Sequence, residues 1–197
     1  MVNNYSVRDL TSTYLASLRT ALDQIDLGAV ERVTQLLRRA RDDHATVFVA
    51  GNGGSASTAS HWVNDLGKAT KRSGRAPVRA MCLSDNTSWF SALGNDEGYH
   101  RVFAGQLENF AEPNDVLMVI SASGNSANLI EAVELARSRN LATVGLLGFD
   151  GGKLKPLVQE MIWVRSEKGA YELVEDAHSA ITHAITRCLV ADRPESA

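Results

Sequence analysis

The order of residue patterns along this 197-residue chain predicts an α/β fold, a three-layer sandwich around a roughly five-stranded parallel sheet with helices added at the N-terminus. Two observations carry that expectation. Short β-branched runs recur, and after each comes a turn rich in Gly or Ser and then a helical pattern, an order that gives parallel strands joined by right-handed crossovers. The chain is 44% apolar, enough for one well-buried core, and too short for two ordinary catalytic domains. A single domain over residues 1–197 is expected.

From Val7 to Asp42 the apolar residues fall at helical spacing, with Leu15, Leu18, Leu22 and Ile25, then Val30, Val33, Leu36 and Leu37. Two helices hinged near Asp26–Gly28 are predicted. They carry more apolar surface than one small sheet can cover, so residues 1–43 are expected to serve in oligomerisation while 44–192 form the α/β core and a closing helix. The first repeat is a strand at Thr46–Ala50, a loop at Gly51–Ser55 and a helix through about Gly67. The second is a strand at Val116–Ile120, a loop at Ser121–Ser126 and a helix over Leu129–Arg139. Further strands are predicted near Val78–Leu83, Thr143–Leu147 and Met161–Val164, and Tyr171–Val190 reads as the closing helix. Lys68–Pro77 reads as a loop and Arg193–Ala197 as a frayed tail.

Charge and composition narrow the function classes. A net charge of −3 lacks the basic face that an extended nucleic-acid footprint requires, so no nucleic-acid partner is expected. Cys82 and Cys188 form no CxxC pair, no leader pattern opens the chain, and no run approaches the roughly 18 apolar residues of a membrane span. A soluble, cytoplasmic protein without a membrane partner is the expectation.

The chemistry is carried by the two loops. Gly51-Asn-Gly-Gly-Ser55 lies between a strand and a helix, where unpaired N–H groups and the helix dipole favour an anion. Ala56 replaces the third glycine of a dinucleotide fingerprint, and no GK[ST] ending follows, so no nucleotide cofactor is expected. By itself this could be a tight turn with Ser55 as N-cap. The second loop, Ser121-Ala-Ser-Gly-Asn-Ser126, repeats the placement and sets three hydroxyls around one glycine. Hydroxyls and amides of this kind suit a phosphate met by many short hydrogen bonds. Both loops belong at the carboxyl ends of parallel strands, where open α/β sheets bind ligands.

The residues at these places give the chain a wider likeness. Gly51-Asn-Gly-Gly-Ser55, His61, Gly94-Asn95-Asp96, the Ser121–Asn128 stretch, Gly148-Phe-Asp-Gly-Gly152, Glu175-Asp-Ala-His178 and His183 together resemble the SIS (sugar isomerase) domain family, and within it the phosphoheptose isomerases. The resemblance implies a homotetramer with active sites at subunit interfaces, acting on a phosphorylated sugar, D-sedoheptulose 7-phosphate, to give D-glycero-D-manno-heptose 7-phosphate, in several cases with zinc. Position by position it assigns substrate binding to Asn52, Gly53, Gly54 and Ser55, to Asn95 and Asp96, to Ser121, Ala122, Ser123 and Ser126, and to Glu175. Metal contacts fall to His61, Asp65, Glu175 and His183. The family usually has glutamate at position 65 and glutamine at 175.

Aldose–ketose isomerisation moves a proton between adjacent carbons through an enediol(ate) and needs a base and an acid. His61 and Asp65, four apart, face the same way on the first crossover helix, and Asp65 is the candidate base, with His183 as second acid/base. The plainer account is that Asp65 only orients His61. Glu175 and His183 are eight residues apart, about 12 Å of helix, so either a neighbouring subunit completes the set or only part of it binds metal. Two other readings stand at this point, an isomerase of a different sugar phosphate and a non-catalytic phosphosugar-binding scaffold.

Overall fold

The structure, a computed structural model, describes residues 6–73 and 75–192. Helix α1 (Val7–Asp23) is capped by the Ser6 hydroxyl and α2 (Leu27–Asp42) by the Asp26 carboxylate, so the hinge expected at 26–28 is the N-cap of the second helix. Strand β1 (Thr46–Gly51) and helix α3 (Gly54–Ala69) form the first repeat. Next come β2 (Arg79–Cys82), α4 (Thr87–Asp96) and α5 (Ala104–Phe110), then β3 (Val116–Ser121) with α6 (Ala127–Ser138). Strands β4 (Ala142–Leu147) and β5 (Glu160–Trp163) precede the closing helix α7 (Tyr171–Ala191). The expected tail at Arg193–Ala197 lies outside the described residues.

All strands are parallel, in the order β2-β1-β3-β4-β5. Alternation along each strand divides the core into two layers. Val47 and Val49 face α1, α2, α3 and α7, whereas Phe48 and Ala50 face α4, α5 and α6. The order places the topological switch between β1 and β3, because the chain steps outward from β1 to β2 and then returns to the other side. Register pairs Gly51 with Ile120, so the two Gly/Ser loops leave the sheet at the same level on either side of that switch.

Two sequence expectations need correction. The stretch Lys68–Pro77 is not wholly loop, since Lys68 and Ala69 finish α3 and Thr70–Ser73 continues as a 3₁₀ turn. Buried Thr70 holds it, its hydroxyl donating to the Leu66 carbonyl and accepting the Val78 N–H, which ties the helix end to the start of β2. Helices α4 and α5 have no counterpart in the sequence reading. They are short, and Gly94 and Gly105 interrupt their apolar period.

Candidate active site

Three helix N-termini, those of α3, α6 and α7, converge where the two loops meet. Unlike α1, α2 and α4, each of which is capped by its own side chain, these three have no side-chain cap. The N-cap of α3 is Gly53, not Ser55, so the capping account of Ser55 does not hold. Uncapped first turns leave N–H groups and the positive ends of three dipoles directed at one place. That place is a cleft of about 210 Å³ lined by Asn52, Ser55, Ser121, Ala122, Ser123, Ser126, Tyr171 and Glu175.

Local hydrogen bonds fix the shape of the cleft. The Ser121 hydroxyl accepts the Gly124 N–H at 3.0 Å, which curls the second loop while leaving that hydroxyl its own proton to donate. Gly124 has φ +64°, and a Cβ there would lie 2.0 Å from the Gly151 carbonyl oxygen, so only glycine lets the loop rest on the 148–152 segment. Asn52 is pinned by a reciprocal amide pair with buried Asn128, at 3.0 and 2.9 Å, and by the Tyr99 hydroxyl at 2.9 Å. Sequence reasoning left out Asn128 as the clasp between the loops, and Tyr99 and Tyr171 as neighbours of the site; no residue spacing points to contacts made across the switch.

Asn95 and Asp96 lie elsewhere. They are exposed at the end of α4, where the Asn95 amide donates to Asp96 at 2.7 Å, and neither lines the cleft.

A second constellation sits farther along the α3 and α7 pair. The Asp65 Oδ2 lies 3.6 Å from the Nε2 of His61 and 3.6 Å from the Nε2 of His183, and the two imidazole nitrogens are 3.5 Å apart. Glu175 does not join these three among the described residues; its carboxylate lies in the cleft, against Gly54. A single straight α7 explains the division, since eight residues separate Glu175 from His183 by about 12 Å of rise. The near-equilateral triangle fits a zinc ion on the chemistry and spacing of its donors, because tetrahedral bonds of about 2.0–2.1 Å put ligand atoms roughly 3.4 Å apart. Two nitrogens and one oxygen would leave a fourth position open.

His178 belongs to neither group. Its side chain is fully buried in the core behind α7, and burial pushes its pKa down to about 4, against a weaker contribution from the Leu147 backbone. The imidazole is therefore neutral in the folded chain at neutral pH. An unfolded histidine titrates near 6.5, so between pH 6.5 and 4 the unfolded chain binds the additional proton and stability falls as pH falls. The contribution amounts to roughly 3 kcal/mol by pH 4. His178→Leu should flatten the stability-against-pH curve between pH 6.5 and 4 in urea titrations; a curve parallel to wild type would mean that His178 does not carry the acid sensitivity.

Comparison with known proteins gives the family. The SIS domain family matches residues 13–148. A probable phosphoheptose isomerase of Thermoplasma volcanium is 36% identical over 190 residues, 96% of this chain and 93% of that one. A lincomycin biosynthesis protein of Streptomyces lincolnensis is 42% identical over 148 residues, 71% of this chain and 54% of its own length. In structure, the phosphoheptose isomerase of Neisseria gonorrhoeae superposes with a TM-score of 0.85 at 28% identity, covering 93% of this chain and 98% of the other. With a parallel five-stranded sheet, a family match over residues 13–148 and these relatives, the chain belongs to the SIS domain family and, within it, to the phosphoheptose isomerases.

Proposed function

We propose that this aldose–ketose isomerase interconverts D-sedoheptulose 7-phosphate and D-glycero-D-manno-heptose 7-phosphate, with the phosphate in the serine-lined cleft and proton transfer at Asp65 and His183. The observation that carries the reading is the triangle, in which one carboxylate oxygen stands 3.6 Å from each of two imidazoles on the helix pair whose other end opens on the cleft. Asp65 takes the proton from C1 of the ketose, and the electron pair moves into a C1–C2 double bond. His183 gives a proton to the C2 oxygen, and the enediol forms without a separated charge. Asp65 returns the carbon-bound proton to C2 and the O1 proton passes to His183, which completes the aldose and restores both groups. If zinc were held by His61, Asp65 and His183, the Nε2 of His183 would be committed to the metal, which would then supply polarisation of the substrate oxygen in place of that proton.

Two features support a site shared between chains of a homotetramer. Gly54 and Glu175 mark the cleft, and Asp65 and His183 stand about 12 Å or more farther along α3 and α7. The reacting carbons of a heptose phosphate lie within about 9 Å of its phosphorus, so one chain's cleft and the triangle of a second chain match the substrate better than both from one chain. On α1 and at the start of α2, Val7, Leu10, Leu15 and Leu27 are all more than half exposed, which gives a subunit interface its apolar surface. No described helix is long and apolar enough to cross a membrane.

The test is turnover of D-sedoheptulose 7-phosphate by wild type and by the Ser121→Ala, Ser126→Ala double variant. The Ser126 hydroxyl is not used to cap α6, and Ser121 keeps a proton to donate. Each lost charge-assisted bond costs about 1.5–3 kcal/mol, so KM should rise at least tenfold while the fold persists. Equal KM values in the two proteins would remove the loop from the site, and absence of turnover by wild type would overturn the substrate.

A further inference from the structure

None of the side chains that line the cleft is cationic, and one is anionic. The anion is Glu175, where the resemblance leads one to expect an uncharged glutamine. Its carboxylate rests on the first residue of α3, so close that a Cβ on Gly54 would lie 2.4–2.5 Å from both of its oxygens. Gly54 is thus the residue that lets a carboxylate lie against the first turn of α3, whose N-terminus has no side-chain cap, in the cleft that Ser55, Ser121 and Ser126 also line. This is the place that the cleft offers to a phosphate, and two anions cannot share it without strong repulsion.

We propose that Glu175 is a built-in competitor for the phosphoryl group, a specificity-determining residue whose carboxylate must leave the α3 N-terminus before substrate phosphate can enter. The inference rests on the reading of the cleft as the phosphate site. Its consequence is selective. Free phosphate, which brings no other contacts, is held weakly, whereas a phosphorylated sugar displaces the carboxylate with binding free energy drawn from its hydroxyls. Discrimination between a sugar phosphate and inorganic phosphate is therefore sharper than in a cleft with an amide at the same position.

The experiment is calorimetric titration of the full-length chain with inorganic phosphate at fixed pH and ionic strength. Glu175→Gln, which keeps the shape and removes the charge, should bind phosphate about tenfold more tightly than wild type. Glu175→Asp, one methylene shorter, draws the carboxylate back from Gly54 and should fall between the two. Glu175→Gln with affinity equal to or weaker than wild type would overturn the proposal, as would Glu175→Asp weaker than wild type, the result a merely structural role would give. Ser121→Ala separates this failure from that of the underlying reading. If it lowers phosphate affinity while Glu175→Gln changes nothing, the cleft holds phosphate and only the competitor role is wrong. If phosphate binds none of the variants, or binds with the same affinity with and without Ser121, the cleft is not the phosphate site and both fall.

Discussion

Asp65→Asn should lower kcat for isomerisation by about 10² to 10⁴ while leaving substrate binding near the wild-type value. The amide keeps the size of the side chain and its contact with Asn64, but it cannot accept a carbon-bound proton between the two imidazoles. Binding should survive because the residues that line the phosphate cleft do not include Asp65. Calorimetry with the ketose phosphate, set beside a turnover assay, reads the two quantities separately; full activity in Asp65→Asn would place the base elsewhere. The same variant tests whether the site is shared. Oligomers assembled from Asp65→Asn and from Ser121→Ala, Ser126→Ala chains contain some sites with both intact partners, so at low substrate the mixture should exceed either parent. No such gain is expected if each chain supplies its own complete site.

The sequence was most readable where local chemistry decides structure. All five strands were placed to within a residue or two, because fully buried parallel strands such as Val116–Ser121 are unbroken apolar runs bounded by turn residues. Ser121–Ser126 was legible for the same reason, since a hydroxyl-rich turn between a buried strand and a helix has few other uses. Contacts across the fold were not legible. Nothing in spacing tells that Asn52 pairs with Asn128, 76 positions away, or that Glu175 lies on Gly54 instead of with His183. The triangle is intermediate. The four-residue interval from His61 to Asp65 places both on one helix face, but the arrival of His183 depends on α3 and α7 lying side by side, which only tertiary packing establishes. Helix α4 shows the opposite limit, a short element fixed by the Asn86 cap and by packing of Trp89, Phe90 and Leu93, with too few turns to show a period.

Asp192→Ala should destabilise the chain by about 3 kcal/mol, a cost set by the burial of its partner and not by its own position. Arg41 on α2 has no exposed side-chain surface. Its guanidinium donates to Asp192 at 3.2 Å, to the Leu189 carbonyl at 3.4 Å and to Asp42 at 3.3 Å, and the last of these is half exposed and screened. Arg38 adds two bonds to the same Asp192 carboxylate, at 2.9 and 2.6 Å, so one acid just past the end of α7 holds two arginines of α2. Burial alone would raise the Asp192 pKa, but the hydrogen bonds and charges of Arg38 and Arg41 outweigh it and hold the carboxyl below its ordinary range. Its folded value being depressed, this acid stabilises the fold above the ordinary aspartate range and ceases to do so as pH falls through the folded value. Removal of the carboxylate leaves Arg41 charged, buried and without its main counter-ion. The melting temperature should fall by roughly 6 to 12 °C for a chain of this size. Arg41→Met in the Asp192→Ala background removes the stranded charge and should restore much of the loss, because an apolar side chain of similar volume tolerates the site where an unpaired guanidinium does not. A double variant as unstable as the sum of the two single variants would show that the helices are held by packing alone and that the ion pair is incidental.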